Sequence, residues 1–339
     1  MKILITGASG FIGSFIVEEA LRQGMETWAA VRSSSSRAFL RDSRIHFIEL
    51  DLSSEERLKE QLKDLRFDYV VHAAGVTKCL RQADFFKVNT EGTKNLARAL
   101  LALRMPLRRF VYLSSLSIMG NIREEQPYQE IRESDTPRPN TAYGKSKLAA
   151  EQWLRQLNEE LAVRNEKLFP YIVLRPTGVY GPRERDYFLM AKSISQHSDF
   201  AVGFKRQDIT FVYVTDVVQA VFLALEKGAD GRCYFLSDGE VYQSSTFSDL
   251  IRRELGNPWW IRVTAPIWLL RVITFCGDII GHLTGRVTAL NNDKYHIMRQ
   301  RNWRCDIGPA RRELGYAPKV RLAEGVRRSV AWYREYKWL

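Results

Sequence analysis

Cysteine is scarce in this chain of 339 residues: there are 4, at Cys79, Cys233, Cys276 and Cys305, and they lie far apart. No two form a C-x-x-C pair, and the 5 histidines add no cluster with zinc-ligand spacing. The sequence therefore predicts no bound metal and a reducing compartment. Long apolar runs are missing too. A membrane-crossing helix needs about 20 mostly apolar residues, and the longest candidate, 267–283, is interrupted by Arg271 and Asp278. The apolar residues after Met1 and Lys2 mimic a secretory leader, but its core would have to contain Gly7 and Gly10, and a buried strand explains them better. There is no internal repeat and no low-complexity tract beyond the four serines at 33–36. No nucleic-acid-reading motif or aromatic stacking platform accompanies the net charge of +12, so no nucleic-acid partner is expected. The basic excess reads as a solvated surface, or as attraction to an anionic membrane face or a phosphorylated ligand.

With 45% hydrophobic and 27% charged residues, the chain has enough apolar material for two lobes around a sizeable core. Its start is the most informative stretch. Residues 2–6 read as a buried parallel strand and Phe11–Arg22 as an amphipathic helix, with Gly7, Gly10 and Gly13 between and at their junction. The first glycine permits a sharp turn and the second lets backbone approach a pyrophosphate. The third lets helix and strand pack closely, and the helix N-terminus faces the anion. Backbone and small side chains of Gly7, Ser9, Gly10, Phe11, Ile12 and Gly13 are thus candidate dinucleotide contacts. A second strand over 27–31 ends in Arg32, where an acid would mark a ribose 2′-hydroxyl reader. Arg32, the serines at 33–36 and Arg37 suit a 2′-phosphate instead, so NADP(H) is the preferred cofactor and NAD(H) the other option. After a third strand over 45–50, Asp51 and Leu52 are placed to meet the adenine. A fourth strand over 69–75 ends in Ala73, Ala74 and Gly75, small enough for close approach. His72, inside that apolar run, reads as a core histidine.

The second informative element is Tyr143-Gly-Lys-Ser-Lys147, on a helix predicted over 142–167. Four-residue spacing puts Tyr143 and Lys147 on one face. A tyrosine with pKa about 10 is a poor acid or base near neutrality, but an ammonium one turn away stabilises its phenolate. The strand over 109–113 delivers Ser114 and Ser115 to the carboxyl-end crevice where open parallel sheets bind ligands.

These segments resemble the extended short-chain dehydrogenase/reductases over nearly the whole chain. T-G-A-S-G-F-I-G at 6–13 resembles that family's fingerprint, and L-S-S-L-S-I-M-G at 113–120 its active-site serine segment, with Ser115 at the catalytic position. Y-G-K-S-K at 143–147 matches its tyrosine and lysine, and L-R-P-T-G-V-Y-G-P at 174–182 its loop after the sixth strand. Later signatures match at 211–218 and 313–318. The resemblance implies an α/β fold: a Rossmann doubly wound parallel sheet with a smaller, partly helical C-terminal substrate lobe. The lobes would divide at 1–180 and 181–339, with parts of 205–236 returning to the first. Tyr143 would be the general acid in reduction, assisted by Lys147, which also reaches the nicotinamide ribose, and by Ser115. Pro176, Thr177 and Gly178 would meet the carboxamide. A homodimer through helices around 84–103 and 142–167 is expected by the same analogy.

Two departures bear on substrate. Where nucleotide-sugar epimerases and dehydratases of the family often carry an arginine that grips a diphosphate, this chain has Ile209, and Met119 replaces a frequent tyrosine. Arg206 is the nearby candidate substitute. Residues 259–283 carry Trp268, Leu269, Val272, Ile273, Cys276, Ile279, Ile280 and Leu283 at helical spacing. They read as a core-facing helix, as a wall of a lipophilic pocket, or as an interfacial helix on a membrane. The stretch resembles hydroxysteroid-dehydrogenase-like and dihydroflavonol-reductase-like branches. The expectation is a cytoplasmic NADP(H)-dependent oxidoreductase for a steroid-, flavonoid- or keto-sphingolipid-like ketone or alcohol, with peripheral contact at the inner face of a membrane through 259–283 as a further option. A nucleotide-sugar epimerase or dehydratase with tightly held NAD is the alternative.

Overall fold

The computed structural model describes residues 1–125, 127–285, 288 and 291–339. Its centre is a seven-stranded sheet in the order β10-β6-β5-β4-β1-β2-β3, with every pairing parallel. The strands are β1 (Lys2–Thr6), β2 (Glu26–Val31), β3 (His46–Glu49), β4 (Tyr69–His72), β5 (Arg109–Leu113), β6 (Tyr171–Pro176) and β10 (Cys233–Leu236). Parallel strands need crossovers, and helices supply them on both faces. These are α1 (Phe11–Arg22), α2 (Glu55–Leu62), the short α3 (Gln82–Phe85) running through a π stretch at Phe86–Glu91 into α4 (Gly92–Ala102), α5 (Ala142–Val163) and α7 (Val214–Lys227). β1, β4, β5 and β6 are almost wholly buried, which is why they read as continuous apolar runs rather than alternating ones. One apolar layer gathers Ile3, Ile5, Ile16 and Val17 with Val217 and Val221 of α7; the opposite layer gathers Leu4, Val70, Leu96, Phe110 and Leu154.

Strand order reverses between β1 and β4, so the carboxyl ends of those two strands open a crevice. The smaller lobe is built from β7 (Gly178–Tyr180) paired with β9 (Phe211–Tyr213), from β8 (Ser198–Val202) paired with β11 (Ile261–Ala265), and from helices α6 (Arg185–Ser195), α8 (Thr246–Glu254), α9 (Ile267–Thr284), α10 (Asn292–Arg299) and α11 (Leu322–Glu335). Its own core is aromatic. Tyr180 contacts Tyr187, Phe211, Tyr213 and Phe247 edge-on, each within 6.2 Å of ring centroid separation.

Several predicted boundaries move. The fourth strand stops at His72, because Ala73 to Gly75 leave the sheet to line the crevice. The long helix stops at Val163, not 167: Asn165 turns the chain back with φ 55°. Residues 259–283 hold a strand, β11, as well as α9. The largest departure concerns the apolar stripe. Trp268, Val272, Ile273, Cys276, Ile279, Ile280 and Leu283 are exposed, while Leu270, Thr274 and Gly281 form the buried side of α9. The core-facing reading of that stripe is therefore wrong: the helix packs through the sparse side of its pattern.

Candidate active site

The glycine turn behaves as its spacing predicts. Gly7 has φ +70°, and a Cβ there would lie 2.6 Å from the Ala74 nitrogen and 2.7 Å from the Ala73 carbonyl. Both conformation and close approach therefore demand glycine. Gly10 begins α1 without any side-chain cap, so the first amides of the helix point into the crevice unclaimed by a side chain. Phe11 and Ile12 turn their side chains into the apolar packing, leaving only their backbone for a ligand. Such a cradle, empty of side chains and positive by dipole, fits a pyrophosphate.

His72 explains how the turn is held. It is fully buried, and its Nδ1 lies 2.7 Å from the Thr6 hydroxyl and its Nε2 3.0 Å from that of Thr93. Thr93 donates onward to the Asn89 carbonyl, and Thr6 Oγ1 accepts from the Ala74 amide. Only one tautomer satisfies the chain: Nε2 carries the hydrogen and Nδ1 accepts. Burial drives the ring pKa down to about 3, so the imidazole is a neutral structural link, as its place in an apolar run suggested.

From the turn a cleft of about 720 Å³ runs outward, lined by Thr6, Gly7, Ser9, Gly10, Arg32, the serines at 33–35, Asp51, Leu52 and Ala73 to Val76. Arg32 closes a small turn in which its amide is held by the Ser35 hydroxyl at 3.0 Å. Arg37 is not on this wall. Its guanidinium lies over the Phe47 ring, 4.3 Å from the ring centre. Sequence reasoning missed two other cations that line the cleft, Arg57 and Lys87. Arg57 pairs with Asp51 at 2.7 Å, and that carboxyl is held low chiefly by the Ser53 hydroxyl and amide. The spacing from Asp51 to Arg57 across the start of α2 was the available signal.

At the inner end stand the three predicted catalytic groups. Ser115 caps a 3₁₀ turn at Leu116–Ile118, accepting from the Ser117 amide at 3.1 Å. Tyr143 lies in the first turn of α5, and Gly144 lets that turn pack onto the Ser117 carbonyl, where a Cβ would sit 2.5 Å from the oxygen. Tyr143 keeps part of its ring exposed, but burial of its hydroxyl pushes the phenol up to about 12, opposed by the neighbouring Ser115 hydroxyl. Lys147 is buried; its Nζ donates to the Leu113 carbonyl at 2.8 Å and lies 4.7 Å from the centre of the Tyr112 ring. Burial lowers its pKa to about 8, against the pull of Glu151 one turn further on. A Cβ on Gly75 would come within 3.1 Å of Lys147 Nζ, so the lysine reaches the edge of the cofactor cleft. Pro176 ends β6, Thr177 links it to Gly178 at the start of β7, and β6 lies beside Ser114, whose amide bonds the Leu174 carbonyl. Pro176, Thr177 and Gly178 are not on the outer cleft wall, and the Thr177 hydroxyl is tied to Thr210.

Positioning residues were harder to foresee. Asn89, within the π stretch, holds the Val76 backbone from both sides and donates to Ser146 Oγ at 2.9 Å, joining the crevice loop to α5. The α5 N-terminus is capped twice. Thr141 accepts from the Gly144 amide at 3.0 Å, and the Asp293 carboxylate accepts from the amides of Ala142 and Tyr143 at 3.0 and 3.2 Å. Thr141 precedes the helix as a cap should, but Asp293 comes from α10, 150 residues away, and nothing local announces it.

A parallel sheet with this crevice and a Ser-Tyr-Lys set at its inner end defines a nicotinamide-dependent oxidoreductase of the extended short-chain dehydrogenase/reductase type. The chain belongs to the NAD dependent epimerase/dehydratase family, whose model matches residues 3–237. It is 25% identical, over 98% of its length and 98% of the relative's, to the decarboxylating sterol-4-alpha-carboxylate 3-dehydrogenase of Candida albicans. A 4-hydroxy-2-methyl-3-oxo-4-farnesyl-3,4-dihydroquinoline-1-oxide ketoreductase of Stigmatella aurantiaca is 26% identical, covering 96% of this chain and 95% of that one. In fold it matches the dTDP-glucose 4,6-dehydratase of Streptomyces venezuelae, solved with NAD bound, with TM-score 0.80 at 22% identity over 100% of this chain and 98% of that one.

Proposed function

We propose that the protein is an NADP(H)-linked reductase/dehydrogenase that interconverts a ketone and a secondary alcohol on a lipophilic substrate. The observation that carries the cofactor half is the outer end of the cleft, where Arg32 and three serine hydroxyls stand where an acid would select NAD. Lys87 adds a cation on the same wall, where Arg57 is paired with Asp51. The substrate half is supported by two relatives whose names specify a sterol carboxylate and a farnesylated ketone. It is supported also by what a sugar diphosphate would lack here. Ile209 offers no charge, and Arg206 is engaged by both oxygens of Asp208 at 2.7 and 2.9 Å.

The chain's residues divide the chemistry as follows. Gly75 and Lys147 would border the nicotinamide of a bound cofactor, which in its reduced form would supply the hydride for a carbonyl carbon. Tyr143, held as a neutral phenol, donates its proton to the carbonyl oxygen, and the Ser115 hydroxyl hydrogen-bonds the same oxygen. Lys147, lowered to about 8 by burial against the opposing pull of Glu151, is still protonated near neutrality and stabilises the phenolate that Tyr143 becomes.

The test is a fluorescence titration of the purified protein with NADPH and NADH, alongside Arg32→Asp. The reading expects much tighter NADPH binding that the variant loses. Equal binding, NADH preference, or a site already filled with NAD would instead favour the nucleotide-sugar alternative.

A further inference from the structure

Most of the large apolar side chains that the described residues leave exposed lie between Phe200 and Leu283. On α9, Trp268 is 68% exposed, Phe275 64% and Leu283 83%. Beside it, the outer face of the β8–β11 pair presents Phe200, Ile261 and Val263, while the inner face is closed by Arg262 against Asp199 at 2.5 Å. The two surfaces adjoin along the chain: β11 runs through Pro266 into α9, and a Cβ on Gly203, just past β8, would lie 3.5 Å from the Ile267 side chain. Phe204, 77% exposed, extends the apolar area at this junction.

Charge is sorted around this face. Its cations lie at the rim: Lys205, exposed, follows Phe204, and Arg271 of α9 and Arg299 of α10 are exposed residues whose guanidinium groups lie over the Tyr295 ring. Its acids are used internally. Asp278 accepts from the Asn292 amide at 3.1 Å and Asp293 from the first turn of α5. An apolar face with cations at its rim fits an anionic bilayer surface. A second copy of the chain fits less well, since a two-fold contact sets the patch against its own image and brings like charges together. Trp259 and Trp268, both exposed, are the residue type favoured at the headgroup level. None of the helices is long and apolar enough to cross a membrane among the described residues.

We propose that α9 and the outer face of β8–β11 dock the protein on an anionic lipid bilayer. The docked helix is coupled to the catalytic helix through Asp278, Asn292 and Asp293, so the face lies one helix away from Tyr143. Docking does not depend on which ketone is turned over, and its failure would leave the reductase reading standing.

The experiment is flotation of the whole protein with vesicles of phosphatidylcholine alone and of phosphatidylcholine with about one third phosphatidylglycerol, at low and high salt. Co-flotation with the anionic vesicles is expected, weakened by salt. Trp268→Glu with Phe275→Glu should cut the floated fraction by about tenfold or more, with unchanged circular dichroism and NADPH binding showing the fold intact. A second pair, Phe200→Glu with Val263→Glu, tests the same face from the sheet side. No flotation on anionic vesicles overturns the proposal, as does equal flotation on neutral ones. So does a dimer in solution that these substitutions dissociate while vesicle binding is absent.

Discussion

Around the glycine turn, side chains are almost wholly committed. His72 links the hydroxyls of Thr6 and Thr93, Ile3 and Ile5 are sealed, and Gly7 leaves no room even for a methyl group. Between Phe200 and Leu283 the same chain leaves tryptophans, phenylalanines and isoleucines uncovered while tying down its acids. Rigidity at the first region serves a reaction whose geometry cannot vary. Exposed apolar surface at the second has no use within the chain and points to something outside it. Substitutions should therefore be costly to fold and cofactor at the first region, and nearly free at the second.

The sharpest way to break that contrast is Gly7→Ala. Its positive φ and the 2.6 Å approach to Ala74 leave no relaxed position for a Cβ. Cofactor affinity should fall by about 100-fold or more, with about 2–4 kcal/mol lost from stability; titration and thermal melting check both. A near-normal variant would show the turn to be softer than its packing. Asp293→Ala comes next. Two amides of the α5 first turn lose their acceptor, at a cost of about 1–2 kcal/mol, and turnover should fall with little change in KM. Asp293→Asn should restore much of it, since the side-chain carbonyl still accepts.

A pH titration sharpens the rigid side further. With His72 at about 3 when folded and near its ordinary value of 6.5 when unfolded, the unfolded chain binds more protons between those values. Its contribution to stability is complete above pH 6.5 and is lost as pH falls toward 3. Denaturant melts should show this acid limb, and His72→Gln should flatten it. The smallest expected effect belongs to the other side: Ile279→Ser with Ile280→Ser should change stability by no more than about 0.5 kcal/mol, since both are exposed. A large loss would mean that α9 is a core element after all.

What was readable in advance divides along the same line. The turn, the sheet and the Ser115–Tyr143–Lys147 set were legible because their determinants are local: a strand, a glycine spacing, a four-residue repeat on one helix. The stacking of Arg37 on Phe47, ten residues on, was not legible, since nothing in the serine-rich loop announces that ring. Asp293 and Asn89 were invisible because each is defined by a partner dozens to more than a hundred residues away. The stripe on α9 was correctly seen as amphipathic, yet its outward direction could not be read, since periodicity defines a face and not which way it turns.

The most direct test of the account is Tyr143→Phe assayed for NADPH oxidation against a panel of lipophilic ketones. The wild type should consume NADPH with at least one member, and the variant should bind NADPH normally but lose turnover by about 100-fold or more. Turnover near the wild-type level in the variant would contradict it, because the phenol hydroxyl would then not be the acid.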